Sequence, residues 1–207
     1  MSPAPLFPMF LKLAGRPCLV VGAGRIGEPK IRSLVECGAK VVVVSPVAEE
    51  SIAGAARKGE IVWSRKSYES TDLAGVFLVV AATSSAEVNH GIYREAQRRG
   101  IICNVVDDPP HCDFFYPAVV RRGRFQIAIS TGGLSPALAQ RVRKQLEEEF
   151  PPVYEDWLEQ LGRKRTALFE QVGDPELRRR LIHESVASEP FAHFERDQFP
   201  AARKDVL

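Results

Sequence analysis

Three observations predict an α/β protein built on a parallel sheet. Short apolar runs, mostly rich in Val and Ile, alternate with helical patterns through the first half of the chain. Those runs are continuously apolar, as strands buried on both faces are, and not alternately apolar and polar. A glycine-rich turn joins the first run to the first helical pattern.

The expected strands are Cys18–Val21, Val41–Val44, Ile61–Ser64, Val76–Ala82 and Ile101–Val106. The expected helices lie near Ile26–Cys37, Ala48–Lys58 and Ala86–Arg99, with Gly38 and Gly100 where a terminating glycine belongs. Alternation of this kind is the doubly wound pattern.

After residue 112 the rhythm changes. Phe114–Val120 and Phe125–Ser130 read as two strands joined by a turn at Arg121-Arg122-Gly123-Arg124. Ser135-Pro136 reads as an N-cap with proline at the first helical position, opening a helix that Pro151-Pro152 stops near Phe150. Val153–Val186 looks helical with a break at Gly173-Asp174-Pro175, and Ser188–Leu207 has no clear period. The expected organisation is a nucleotide-binding unit over 1–112, a small α+β dimerisation and substrate-site segment over 113–150, and a helical C-terminal segment over 151–207.

Composition excludes several classes. The 207 residues are 45% hydrophobic and 26% charged, and the formal net charge is only +2, so nothing global argues for nucleic acid. Val76–Ala82 is the longest purely apolar run, far short of the ~20 residues a bilayer needs. Met1-Ser-Pro-Ala-Pro has no basic stretch ahead of an apolar one, so no signal peptide is read. Cys18, Cys37, Cys103 and Cys112 form no CxxC pair, and the first three sit in or beside apolar runs as small core residues. The expected address is the cytoplasm. His90, His111, His183 and His193 are scattered without a ligand motif, so no structural metal is expected.

Cys18-Leu-Val-Val-Gly22-Ala-Gly24-Arg-Ile-Gly27 is GxGxxG placed after a strand and at a helix start, which makes it a dinucleotide-binding, Rossmann-type turn. Gly22 permits the tight turn, Gly24 lets the backbone approach a pyrophosphate, and Gly27 lets the helix pack close to the strand. Free N–H groups at the helix N-terminus suit that anion. The cofactor residues are therefore expected over Gly22, Ala23, Gly24, Arg25, Ile26 and Gly27. Pro29 is tolerable only in the first turn, so the helix must start near Arg25–Gly27.

The second strand ends Val44-Ser45-Pro46-Val47 with no acid for the ribose, so the local sequence does not select NAD over NADP. Arg25 can pair with a 2′-phosphate or be a solvated surface residue. Ser45 can bond the ribose, and Thr83 can line the nicotinamide side or cap the following helix.

Asp107 and Asp108 end the fifth strand, where ligands of open α/β sheets bind. A carboxylate there serves acid–base chemistry or merely forms the turn. Only one of the pair is expected to face the cleft. Downstream lie Arg121, Arg122 and Arg124, then Arg141, Arg143 and Lys144, flanking Ser130-Thr131-Gly132-Gly133-Leu134-Ser135-Pro136. This is a carboxylate-binding rim or an ordinary solvated surface.

Together these pieces resemble the precorrin-2 dehydrogenase family, the NAD-dependent module of siroheme synthases. The matching segments are Val20–Gly27, Ala81-Ala-Thr-Ser84 with Val88-Asn89, Cys103-Asn-Val-Val-Asp107, Phe114–Pro117 and Ile129–Pro136, with a familiar Phe10-Leu-Lys-Leu13 lead-in. The resemblance covers roughly Phe7 to Phe150. It implies NAD-dependent oxidation of precorrin-2 to sirohydrochlorin, and in some members insertion of ferrous iron to give siroheme. It implies a homodimer interlocked after the nucleotide-binding domain, Asp107 as the key acid, and cofactor contacts at Arg25-Ile26 and Pro46-Val47. A substrate with eight carboxylates suits a local basic rim of Arg121, Arg122, Arg124, Ser130, Thr131, Gly132, Gly133 and Ser135. Arg25 stands where the family commonly has an acid, and Thr131 where it often has Ser. The roughly 57 residues after Phe150 cannot hold a methyltransferase domain, so methylation is expected from another chain. The competing readings are another NAD(P)-dependent oxidoreductase on the same fold, and a non-catalytic dinucleotide- or tetrapyrrole-binding protein.

Overall fold

The computed structural model describes residues 5–186. The reading of Ser188–Leu207 as aperiodic lies outside the described residues, as does most of the N-terminal pentapeptide. The chain divides into two compact units, Met1–Tyr116 and Pro117–Leu207.

The first unit runs β1 (Pro17–Ala23), α1 (Gly27–Glu36), β2 (Lys40–Ala48), α2 (Glu50–Arg57), β3 (Val62–Ser64), β4 (Leu78–Ala81), α3 (Ala86–Arg99) and β5 (Ile102–Val105). The sheet order is β3-β2-β1-β4-β5, and every pairing is parallel. The order reverses between β1 and β4, and ligands of such sheets bind beyond the strand ends at that point.

Why the strands read as continuous apolar runs is visible in the packing. Cys18 and Val20, Val41 and Val43, and Leu78 and Val80 face Ile31 and Leu34 of α1 and Ile52 of α2. Leu19 and Val21, Val79 and Ala81, and Cys103 and Val105 face Ile92 and Ala96 of α3, with Leu73. Successive residues of one strand thus enter two separate cores. α1 starts at Gly27 with Pro29 in its first turn, where the missing N–H costs nothing. Gly38 and Gly100 adopt φ of 74° and 66° just past α1 and α3, as expected.

Several boundaries differ from expectation. β2 continues through Pro46 to Ala48, because a bulge carries it past the turn: Val21 faces Val44, but Ala23 faces Ala48. Phe114–Tyr116 is not strand. The rings of Phe114 and Tyr116, with centroids 5.4 Å apart, pack on the α1-side core instead. Pro117 follows, with no N–H for a ladder.

The second unit holds β6 (Ala118–Arg122), β7 (Phe125–Ile129), α4 (Pro136–Glu149), α5 (Tyr154–Gln171) and α6 (Pro175–Glu184). β6 and β7 pair antiparallel from Ala118 with Ile129 to Arg122 with Phe125. The turn is therefore only Gly123-Arg124, shorter than the expected Arg121–Arg124. Gly123 has φ 54° at the first central position, the type II′ requirement. Ser135 accepts from the Leu138 N–H and Asp174 from the Glu176 N–H, capping α4 and α6. Phe125, Phe150, Tyr154 and Trp157 form a chain of ring contacts at 5.1–5.4 Å. Both large core clusters lie in the first unit. In the second, Ala118, Val120, Ala139 and Val153 are the buried apolar residues among those described, while Leu134 is 91% exposed and Leu138 half exposed.

Burial pushes the Cys18 thiol up to about 11 and the Cys103 thiol up to about 12. A raised thiol pKa keeps the unreactive protonated form through neutral and mildly alkaline pH. Iodoacetamide at pH 8 is expected to spare Cys18 and Cys103 in the native protein and to label both after denaturation, read by peptide mass spectrometry. Rapid native labelling of either would contradict its place in the core.

Candidate functional site

Each glycine of the first turn is required by something different. A Cβ on Gly22 would lie 2.4 Å from the Ala82 carbonyl oxygen at the end of β4, and its φ is 104°. A Cβ on Gly27 would lie 2.4 Å from the Gly22 carbonyl oxygen. Gly22 and Gly27 are thus demanded by the protein's own backbone. A Cβ on Gly24 would meet nothing within 4 Å. The backbone at Gly24 is therefore open on the side where a Cβ would stand.

The adjoining helix end fits the same ligand. α1 begins after Ile26 with no side chain capping it. The Glu28 N–H donates to the Gly24 carbonyl at 3.0 Å, and the helix start carries the positive end of the dipole, which favours an anion. Ala23 is buried at the end of β1, and Arg25 and Ile26 are exposed on the turn. These residues suit the pyrophosphate of a dinucleotide.

The end of β2 presents exposed Pro46 and Val47, Val47 being 77% exposed. Ser45 is buried, its hydroxyl donates to the Val47 carbonyl at 2.6 Å, and the Trp63 indole N–H donates to the Ser45 carbonyl at 3.0 Å. Ser45 therefore shapes the bulge that exposes Pro46 and Val47.

After β4, Thr83 is held on three sides. Its hydroxyl lies 2.7 Å from Asn89 Oδ1 and accepts from the Ser85 N–H at 3.2 Å. Asn89 Nδ2 donates to the Thr83 carbonyl at 3.0 Å. The cap of α3 is Ser85, which accepts from the Val88 N–H, and not Thr83. The loop beyond β4 is thereby pinned to α3 by the buried Asn89.

The two aspartates after β5 diverge. Asp107 is exposed and has φ 59°, the one positive φ of a non-glycine among the described residues. Asp and Asn tolerate this conformation better than other side chains, though it still stores strain. Its charge reaches Lys30 of α1. Burial pushes the Lys30 ammonium down from its ordinary value, and Asp107 opposes that shift. Lys30 Nζ sits 3.9 Å over the Tyr116 ring. Asp108 turns the other way, to α3: its Oδ2 lies 2.9 Å from His111 Nδ1 and 2.7 Å from His90 Nε2. These two contacts, that to His111 first, hold its carboxyl below the usual range against some burial. The sequence separates His90 from His111 and shows no ligand motif; only the packing of α3 on β5 joins them. The D-x-x-H spacing of Asp108 and His111 was the one local signal.

In the second unit, Arg121 and Arg124 are exposed near the hairpin turn. Arg122 is engaged: it donates to the carbonyls of Phe150 at 2.8 Å, Glu147 at 3.0 Å and Arg121 at 3.0 Å. It caps the C-terminus of α4, where a cation is favoured. In the following turn, Ser130 Oγ accepts from the Gly132 N–H and Thr131 Oγ1 from the Ser135 N–H, both at 3.1 Å. Gly132 and Gly133 have φ of 62° and 81°.

The different origins of the glycines make a paired prediction. Gly24→Asp should keep the native melting temperature and weaken NAD binding at least about tenfold, or 1.4 kcal/mol, by calorimetric titration. Gly22→Ala should lower the melting temperature, since its methyl collides with backbone. Unchanged NAD affinity in folded Gly24→Asp would remove the dinucleotide from this turn.

Comparison with known proteins gives the same outline. Residues 9–118 match the family model described as "Putative NAD(P)-binding", and residues 122–149 match "Sirohaem biosynthesis protein central". The siroheme synthase of Methylobacillus flagellatus is 44% identical over 147 residues, 71% of this chain and 32% of that protein. Siroheme synthase 1 of Aeromonas salmonicida is 42% identical over 144 residues, 70% of this chain and 31% of that protein. The chain thus spans about a third of the length of these relatives. The solved structure of SirC, a precorrin-2 dehydrogenase, superposes with a TM-score of 0.76 at 26% identity, covering 93% of this chain and 98% of that one. With the first model spanning more than half of it, the chain belongs to the NAD(P)-binding family, in the branch that siroheme synthases share.

Proposed function

We propose that the protein oxidises precorrin-2 to sirohydrochlorin with NAD in siroheme biosynthesis. The observation that carries this reading is the near-complete superposition with SirC, a precorrin-2 dehydrogenase, over a chain whose Gly24 is open for a dinucleotide. Gly22, Ala23, Gly24, Arg25, Ile26 and Gly27 would hold the pyrophosphate side, with Ser45, Pro46, Val47 and Thr83 along the rest of the cofactor. When bound, NAD supplies the hydride acceptor.

The chain's own part is the proton. Oxidation also removes a proton from the substrate, and Asp107, exposed beyond β5, is the base we assign to it. Asp108, not Asp107, takes the two histidines, so the two carboxylates need not share one task. The charge of Asp107 opposes the downward shift that burial imposes on Lys30. Arg121, Arg124, Ser130, Thr131, Gly132, Gly133 and Ser135 are assigned to the substrate's carboxylates, and Arg122 to holding α4 beneath that turn. Ferrous iron insertion into sirohydrochlorin would use the same Asp107, because two ring protons must leave.

We further propose a homodimer completed through the second unit. That unit carries few buried apolar residues, and Leu134 and Leu138 stand open. Cytoplasmic residence belongs to the same reading: the four cysteines are free thiols, and among the described residues no helix is long and apolar enough to cross a membrane.

Asp107→Asn keeps the shape and the tolerance of positive φ while removing the basicity. Under anaerobic conditions it should bind NAD normally but form NADH from precorrin-2 about 10²–10⁴-fold more slowly. Wild-type rates in this variant would end the assignment of Asp107, and absence of any NADH from the wild-type protein would end the dehydrogenase reading. Sedimentation at micromolar concentration should give twice the chain mass, reduced toward the monomer by Leu134→Asp; a monomeric wild-type protein would exclude the dimer.

A further inference from the structure

We propose that His90, Asp108 and His111 form a binding site for one divalent first-row transition metal ion. The proposal stands independently of the dehydrogenase reading. His90 is on α3; Asp108 and His111 flank the short 3₁₀ turn Pro109–His111 after β5. One ligand atom from each residue lies within 4.8 Å of the other two.

The three groups already converge, through hydrogen bonds of 2.7 and 2.9 Å. Both imidazole nitrogens converge on the same carboxylate oxygen, Asp108 Oδ2, and neither goes to its neighbour Oδ1. The two rings stack with centroids 4.4 Å apart, and Tyr93, one turn along α3 from His90, packs edge-on against His111 at 4.8 Å. The rings are therefore held before any ion arrives, which lowers the ordering cost of binding. A metal with bonds of about 2.0–2.2 Å holds its donors about 3.0–3.5 Å apart, so each nitrogen must draw back slightly from Oδ2 to admit the ion, a change that rotation of three partly exposed side chains supplies.

The donor set selects the class of ion. Two imidazoles and one carboxylate suit Zn²⁺, Fe²⁺, Co²⁺ or Ni²⁺, whereas Mg²⁺ and Ca²⁺ prefer all-oxygen sites. The cluster opens onto a groove lined by Glu87, His90, Arg94 and His111, so further coordination positions face solvent. Glu87 and Arg94 offset each other's charge there. Cys112 does not belong to the set: its Sγ contacts the carbonyls of Val105 at 3.1 Å and Asp108 at 3.3 Å. An ion at this place would tie α3 to the turn that carries Asp107, one residue before a ligand.

The test uses the full chain, stripped with EDTA and kept reduced, titrated with Zn²⁺ against a chromophoric chelator. One equivalent should bind, with a rise in melting temperature. His90→Ala and His111→Ala should each weaken binding by at least about 10–100-fold, the loss seen even for outer-sphere partners, while Cys112→Ser and His183→Ala should not. Both histidine variants should still bind NAD as the wild type does, which separates loss of ligands from loss of fold. Hydrogen exchange over residues 107–113 should slow when Zn²⁺ is present. Absence of stoichiometric binding by the wild type would overturn the site, as would equal affinity in the two histidine variants or dependence on Cys112.

Discussion

The structure depends on one close approach of backbone to backbone. Gly22 passes the end of β4 at Ala82, and Gly27 passes Gly22, at distances no Cβ could share. That convergence sets where α1 leaves the sheet, and with it the opening at the switch point between β1 and β4. Gly24 lies between the two constrained glycines, yet a Cβ there would meet nothing within 4 Å. A single turn thus combines two glycines that the fold requires with one whose backbone is left open. The uncapped start of α1 has the same logic, since a side chain capping it would occupy the donors that an anion needs.

The turn after β5 divides two chemistries between neighbouring residues. The left-handed conformation of Asp107 reverses the direction in which the chain presents its side chains. One carboxylate is left exposed with Lys30 near, and the next is drawn to the histidines on the far side of the sheet. Two ordinary adjacent aspartates would compete for one environment. Here each has its own counter-groups, one set on α1 and the other on α3 and the turn itself.

Much of this was legible before any coordinates. The five parallel strands follow from uninterrupted Val and Ile because both faces of the sheet are covered. The cap at Ser135 and the place of Pro29 follow from local chemistry. What was not legible depends on distant contacts. Phe114–Tyr116 has strand-like residues, but its rings pack on a core instead of its backbone joining a ladder. Arg122 looks like surface charge beside Arg121 and Arg124, yet it binds carbonyls more than twenty residues away. His90 meets His111 only because α3 lies against β5. Local periodicity carries no information about such partners.

The strand order has a consequence for how the chain is made. β1 emerges early but is central, and one of its two neighbours is β4. The face bearing Leu19 and Val21 is covered by α3 together with Leu73, and α3 ends at Arg99. At a synthesis rate of about 5–20 residues per second, roughly 4–15 s separate the end of β1 from the end of its cover. For that interval one half of the sheet's hydrophobic surface has no intramolecular partner. The nascent chain therefore closes that face only once α3 is complete.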